Sequence, residues 1–449
     1  MRQGFGSAQM VSGWGHATCS VATVVAAATT EEVAERVAAA GARGIVARGL
    51  GRAYGDAAQN SGGLILDLSR LDQIGPIDSH GQIRVEAGVS LDSLIRRVLP
   101  QGWFVPVSPG TAWVTVGGAV AADVHGKNQH RDGGFCDHLD RIELAAPCGP
   151  IVARAGEDAF LATAGGMGLT GVVTAATMRL RPVESAWMTV RTHLTEDLDE
   201  TMAALANGDH NHAYSVAWLD LTQLGRRIGR GVVDFGDHAT ERELPDRLRS
   251  APLDLPPRRS LPSPPGLTGL VNLRAIRLFN AIWYRKASPG PRIESISSYF
   301  HPLDAISNWY RLYGNRGLVQ YQFALPSGNG TLLTRLVERL TTARAPVALA
   351  VLKRFGRAAV GPLGFPQQGW TLAVDLPTAW GGLTDLLDGL DIAVADAEGR
   401  VYLAKDARLA PELLPRMYPE LSRWKELRAA LDPNGAMESD LSRRLELTP

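Results

Sequence analysis

Three glycines, Gly49, Gly51 and Gly55, punctuate the run Arg48–Asp56 directly after an apolar segment that reads as a strand. A loop of this kind can turn several backbone N–H groups toward one anion, because no side chain stands in the way. A second run repeats the chemistry: Pro109-Gly110-Thr111, then Thr115-Val116-Gly117-Gly118 and the small residues Ala119 to Ala122. Its hydroxyls and bare backbone suit a pyrophosphate, and its small residues would let a helix pack close. Small residues also serve plain helix packing, so one such loop alone decides little. Two with the same chemistry favour a single ligand held between them. A third glycine set, Gly166, Gly168 and Gly171, has G-x-G-x-x-G spacing. The pattern predicts a helix before it (Glu157–Thr163) and a strand after it (Gly171–Leu180), the reverse of the order a dinucleotide fold requires.

Those loops need elements to hold them. Gly44–Arg48, Leu64–Leu68, Ile83–Ala87 and Trp103–Val107 read as strands from composition and flanking turns. Ser90 caps a predicted helix whose apolar face is Leu91, Leu94, Ile95 and Val98, and Gly102 ends it. Glu31–Ala40 reads as an amphipathic helix. Residues 30–180 therefore read as an α+β unit. Residues 186–400 differ in character: they carry most of the Trp and Tyr and one low-complexity stretch, Ser250–Gly269, rich in Pro. Such a stretch should form neither a ladder nor a helix interior. It reads either as a solvated linker or as a flap over a site, since the greasy run Leu270–Trp283 follows. Beyond 400 the pattern resembles residues 30–180 again, with a strand over Val401–Ala404 and a helix over Leu421–Leu431.

The 449 residues leave room for two or three domains at about 150 residues each. Lys+Arg and Asp+Glu are equal at 46 each, so nucleic acid is excluded as a first-choice partner. Cys19, Cys136 and Cys148 are odd in number and not in C-x-x-C spacing, which speaks against a disulfide framework or a metal site. No apolar run approaches the roughly 18 residues of a spanning helix. Val21–Ala28 is short and lacks a basic flank, so it is not read as a signal peptide.

The two loops, in this order, resemble the FAD-binding half of the vanillyl-alcohol oxidase-type flavoproteins. Within that superfamily the chain is most similar to the decaprenylphosphoryl-β-D-ribose 2′-oxidases of actinobacteria. The motifs are GLGRAYGD (49–56), PGT…VTVGGA…HGKN (109–128), LTGVV (169–173), SVAWLD (215–220), WYRK (283–286), YFHPLD (299–304), QYQF (320–323) and YLAKDAR (402–408). The resemblance implies an α+β fold with a PCMH-type FAD-binding domain built from both chain ends (1–185 and 400–449). An α+β substrate-binding domain (186–399) would be inserted between them.

By the same resemblance FAD would touch Gly49, Leu50, Gly51, Arg52, Ala53, Tyr54 and Gly55 in the first loop. In the second it would touch Pro109, Gly110, Thr111, Thr115, Val116, Gly117, Gly118, Ala122, His125, Gly126 and Asn128. Gly171, Val172, Val173, Tyr402, Ala404 and Lys405 would complete its site. Arg52 stands where covalent flavoproteins of the superfamily often carry His, which implies a non-covalent flavin. Alcohol oxidation needs a hydride acceptor, supplied by the flavin, and a proton acceptor, supplied by the protein. Lys405 is the first candidate for the latter and Tyr54 the second, with His125 lining the site. Substrate contacts would come from Lys127 and Arg311 to a phosphate and from Gln320 and Gln322 to sugar hydroxyls. Trp218, Lys353 and Phe355 would line the pocket, although Trp218 reads equally well as core. Thr371 and Ala373 stand where relatives usually carry Asn and Cys.

The implied reaction is oxidation of the 2′-hydroxyl of a polyprenylphosphoryl ribose. It would be the first half of an epimerisation to the arabinose donor for cell-wall arabinan, completed by a separate NADH-dependent short-chain reductase. The protein would be soluble or touch the membrane peripherally. The rivals are an aldonolactone or alditol oxidase of soluble sugars and a flavin-binding scaffold without catalysis.

Overall fold

The computed structural model describes residues 6–257, 261–262 and 271–448. Two small sheets carry the first part of the chain. In one, the strands run in the order Ser7–Ser12, Cys19–Ala26, Leu64–Asp67, Ile45–Arg48, and the last three are parallel. The other is antiparallel: Ile74–Ile77, Gln82–Glu86, Val172–Arg179, Leu139–Ala146, Gly149–Arg154. Val172–Arg179 lies at its centre and is buried on both faces until Arg179, which is why its sequence is small and β-branched with no polar alternation.

The helix Leu91–Val98 forms as its pattern predicts. The Ser90 hydroxyl accepts from the Ser93 N–H, and Leu91, Leu94, Ile95 and Val98 are buried. Each fully buried aliphatic side chain contributes about 1.5–3 kcal/mol. A 3₁₀ turn extends it, and Gly102 closes it at φ 79°. The strand after it is only Trp103–Phe104, because Pro106 has no N–H to continue the ladder.

Residues 187–377 supply seven strands of an eight-stranded antiparallel sheet. The order is Gly290–Ser295, Trp187–Thr195, Gly231–His238, Tyr214–Leu219, Leu349–Phe355, Gly369–Pro377, Leu318–Pro326 and Arg400–Val401. The expected strand Val401–Ala404 is thus cut to Arg400–Val401. From Tyr402 the chain turns, and the Lys405 N–H donates back to the Tyr402 carbonyl.

The end of the chain returns to its beginning. The Ile45 N–H donates to the Ala436 carbonyl, and Asp440 accepts from the Ser61 N–H. On the helix Leu421–Leu431, Trp424 Nε1 donates to the Ala162 carbonyl and Arg428 Nε to that of Leu169. The last two bonds fix the ends of the loop that carries Gly166 and Gly168. That loop is indeed preceded by a helix (Asp158–Thr163) and followed by a strand.

Of the Pro-rich stretch, 258–260 and 263–269 lie outside the described residues, as does Leu270. Against the expectation of no ladder, Leu261–Pro262 pairs in parallel with Ile306–Ser307, a two-residue edge where a proline is tolerated. The greasy run becomes the helix Leu273–Lys286, capped by Asn272. Among the described residues no helix is long and apolar enough to cross a membrane.

Candidate active site

Both glycine loops, the Tyr402–Lys405 turn and one face of the large sheet enclose a cavity of about 850 Å³. The first loop is clamped at its C-terminal end. The Tyr54 N–H donates to the Ala404 carbonyl at 2.9 Å, and a Cβ on Gly55 would lie 1.8 Å from the Asp406 carbonyl oxygen. Gly51 has φ +64°, which favours glycine. The loops also interlock, since a Cβ on Gly49 would fall 2.3 Å from Thr115 Oγ1. That same oxygen caps the short helix Val116–Ala121 by accepting from the Gly118 N–H. Gly110 and Gly168 line the cavity, and a Cβ on either would meet nothing within 4 Å. Bare backbone therefore faces open space on two sides, a cradle that fits the diphosphate of FAD. The Arg52 guanidinium lies 3.9 Å above the Trp14 ring and donates to the Leu50 carbonyl.

The wall opposite these loops is made by alternate residues of three neighbouring strands. Gln320 and Gln322, Leu349, Val351 and Lys353, and Ala373 all reach the cavity. Register sets Gln322 opposite Ala373, and Lys353 opposite Thr371. Gln322 Nε2 donates to Thr371 Oγ1 (2.9 Å) and lies 3.1 Å from His125 Nε2, while His125 Nδ1 lies 3.1 Å from Lys353 Nζ. Gln322 Oε1 is buried without a hydrogen-bond partner. Gln320 Nε2 donates to the buried Asp375 carboxylate at 2.5 Å.

Burial governs the protonation of these groups. It lowers the Lys353 amine to about 7, helped by the charges of Lys405 and Lys127. It also lowers Lys405, with the Asp375 charge opposing, and raises Asp375, opposed by its bond from Gln320 and the Lys405 charge. His125 falls well below the usual imidazole range through burial and the neighbouring Lys353 and Lys405 charges, so it is neutral. Burial and Asp375 push Tyr54 well above the usual phenol range, so Tyr54 keeps its proton. Lys405 Nζ sits 5.8 Å from the Tyr54 ring centroid.

Most residues expected at the site line this cavity. In the loops these are Gly49 to Tyr54, Pro109 to Thr111, Thr115, Gly117, Gly118, Ala122 and His125. Gly171, Val173, Tyr402, Ala404 and Lys405 join them. Gly55, Val116, Gly126, Asn128 and Val172 are not in the wall. Asn128 braces the second loop instead, with Nδ2 donating to the Pro106 carbonyl and Asp132. Lys127 is also turned away: its amine donates to the Tyr299 carbonyl at 2.5 Å and lies over that ring. Arg311 is exposed on the turn Trp309–Tyr313, Trp218 is half-buried outside the wall, and Phe355 and Thr371 stand behind His125 and Gln322. Sequence reasoning missed Asp375 and the segment Ile306–Trp309, which with Leu303 and Asp304 of the YFHPLD motif closes one side of the cavity; the motif itself was given no site role. Asp304 anchors that segment by accepting from the Thr111 hydroxyl and the Ala112 N–H. It also missed Leu349 and Val351, whose two-residue spacing from Lys353 was a legible strand signal.

Comparison with known proteins agrees with this geometry. Residues 21–153 match a family model described as an FAD binding domain. The chain is 39% identical to the decaprenylphosphoryl-beta-D-ribose oxidase of Mycolicibacterium smegmatis, over 97% of each chain. It is 43% identical to an uncharacterized Streptomyces coelicolor protein, over 80% of this chain and all of the other. An alditol oxidase of Streptomyces is 26% identical over 97% of this chain and 98% of its own.

Proposed function

The chain belongs to the decaprenylphosphoryl-β-D-ribose oxidase family, and on that premise we propose how its cavity oxidises a lipid-linked ribose. It is an FAD-dependent oxidoreductase that converts the 2′-hydroxyl of a polyprenylphosphoryl-β-D-ribose to the ketone. The observation that carries this reading is one cavity holding both interlocked glycine loops and two buried amines, Lys353 and Lys405.

Bound FAD supplies the hydride acceptor. The loops Gly49–Tyr54 and Pro109–Gly118 would hold its diphosphate, and would do so without a covalent link, since Arg52 cannot form one. The protein's own part is to position the sugar and move a proton. Gln322 Oε1 offers an acceptor, and Tyr54 a phenol that keeps its proton and can donate. Of the two amines, one takes the hydroxyl proton while the other, still charged, steadies the developing alkoxide.

Return of the hydride to the opposite face of the keto sugar falls to a separate NADH-dependent short-chain reductase. The lipid tail also calls for contact with a membrane surface. The helix Leu273–Lys286 is suited to this. Leu278, Phe279, Ile282 and Trp283 are 65, 55, 44 and 49% exposed, and Phe279 stacks on Trp283. Arg274, Arg277, Arg285 and Lys286 accompany them with no acidic residue in the helix. A basic, aromatic-bearing face of this kind lies in the interface of an anionic bilayer. Val271, just before it, packs against the cluster of Trp309, Tyr313 and Leu318, of which Trp309 lines the cavity.

The test is anaerobic flavin bleaching. Farnesylphosphoryl ribose should bleach the flavin band and free alditols should not. Bleaching by alditols would move the chain to the soluble-sugar oxidases, and no bleaching by any donor would leave a scaffold.

A further inference from the structure

We propose that Thr371 is a positioning residue that, through Gln322 and His125, holds Lys353 as a neutral amine and makes it the acceptor of the substrate's hydroxyl proton. This rests on the alcohol-oxidase reading above and assigns the amine that reading leaves open.

Hydrogen-bond direction carries the argument. The Thr371 hydroxyl has one proton, and it is committed to the Phe323 carbonyl at 2.9 Å. Thr371 Oγ1 is therefore an acceptor toward Gln322, whose NH₂ must face it at 2.9 Å. Turning the amide over would set Oε1 against Oγ1, two acceptors with no proton between them. The second N–H of that NH₂ meets His125 Nε2 at 3.1 Å, so Nε2 carries the lone pair. A neutral imidazole then bears its proton on Nδ1, and the group facing Nδ1 at 3.1 Å is Lys353 Nζ. An ammonium there would oppose donor to donor. The arrangement closes only if Nζ accepts, which requires an uncharged amine.

The charged groups around Lys353 agree. Lys405 and Lys127 both repel a proton from it, and burial acts in the same direction. Lys405 has Asp375 nearby to hold its charge. In the reaction the substrate O–H bond breaks and its proton joins Nζ. The C–H hydrogen leaves with its electron pair to oxidised FAD, and the carbonyl forms. The resulting ammonium faces the Nδ1–H, holds its proton weakly and returns it to water.

Two measurements on the holoenzyme test this. In ¹⁵N-histidine NMR of the resting enzyme, the His125 resonance, identified by its loss in His125→Asn, should show the Nδ1–H tautomer. In Thr371→Val the amide is free to turn, His125 can present a lone pair to an ammonium, and Lys353 gains basicity. The pH midpoint of flavin reduction by farnesylphosphoryl ribose should then rise by about one unit, with roughly tenfold slower reduction below it. Thr371→Ser should restore the wild-type midpoint. An Nε2–H tautomer, an unmoved midpoint in Thr371→Val, or a Ser variant that behaves like Val would each overturn the proposal. If the lipid-linked ribose fails to bleach the wild-type flavin, the substrate reading falls, and the tautomer still decides the hydrogen-bond chain.

Discussion

Thr371 stands directly opposite Lys353 in the ladder between Gly369–Pro377 and Leu349–Phe355, yet the two communicate through a third strand and a loop. Gln322 and His125 bridge them. Four side chains from three strands and the second glycine loop thus form one polar unit inside an apolar wall. Such a unit is costly when any member is left unsatisfied.

Removing the amine that closes this unit should remove its titration. Lys353→Met should slow flavin reduction by about 10²–10⁴-fold and flatten its rise with pH near 7. Stopped-flow reduction across pH 5.5–9, a window of about two units around neutrality, reads both effects. A variant with the full wild-type profile would clear Lys353 of any proton transfer.

Lys405 and Asp375 should move the profile to different extents. Lys405 repels a proton from Lys353, so Lys405→Met should shift the midpoint to higher pH while lowering the maximal rate. The Asp375 charge raises Lys405, so Asp375→Asn makes that lysine easier to deprotonate. A less charged Lys405 repels less, and the effect on Lys353 is again an upward shift, smaller than that of Lys405→Met. Equal shifts in the two variants would contradict this order.

The glycine loops make a colour test. Gly49→Val would drive its side chain into Thr115 Oγ1 and push the loops apart. An overpacking cost of about 1–3 kcal/mol corresponds to roughly 5–150-fold weaker FAD binding. Fluorescence of released flavin during dilution measures it. In the wild-type protein, acid precipitation should leave a yellow supernatant and a white pellet, since Arg52 forms no bond to the ring.

Among the described residues no cysteine lines the cavity: Cys136 is buried in the core, and Cys19 and Cys148 are exposed. Thiol-directed nitroaromatic inhibitors should therefore bind only reversibly. Ala373→Cys would place a thiol in the wall and should yield a stable adduct by intact mass. An adduct on wild-type protein inside the cavity would contradict this.

Vesicle sedimentation checks the exposed helix. Wild-type holoenzyme should pellet with anionic phosphatidylglycerol vesicles and little with neutral phosphatidylcholine. Phe279→Ser with Trp283→Ser should lower the bound fraction at least about tenfold without changing flavin reduction by short-chain substrate. Equal pelleting of variant and parent would remove the helix from the role.

The glycine loops were legible because their chemistry is local: small residues and hydroxyls in one short run announce a backbone-lined cradle. The fate of Lys127 was not. It is two residues from His125 in sequence, but its side chain leaves for the Tyr299 carbonyl, a partner 172 positions away. Asp375 was not legible because it sits inside an apolar strand pattern, between Val374 and Leu376, and only the fold shows it facing Gln320. Ile306–Trp309 has no period to read. The hydrogen-bond chain from Thr371 to Lys353 depends on strand order, which no local pattern encodes.

The first glycine loop is closed by Ala404 and Asp406, and the strand before it by Ala436. The loop near position 50 therefore takes its final shape only once the segment from Ala404 to Ala436 has docked on it, so ordering of the cradle is coupled to contacts some 350 to 390 positions apart in the chain.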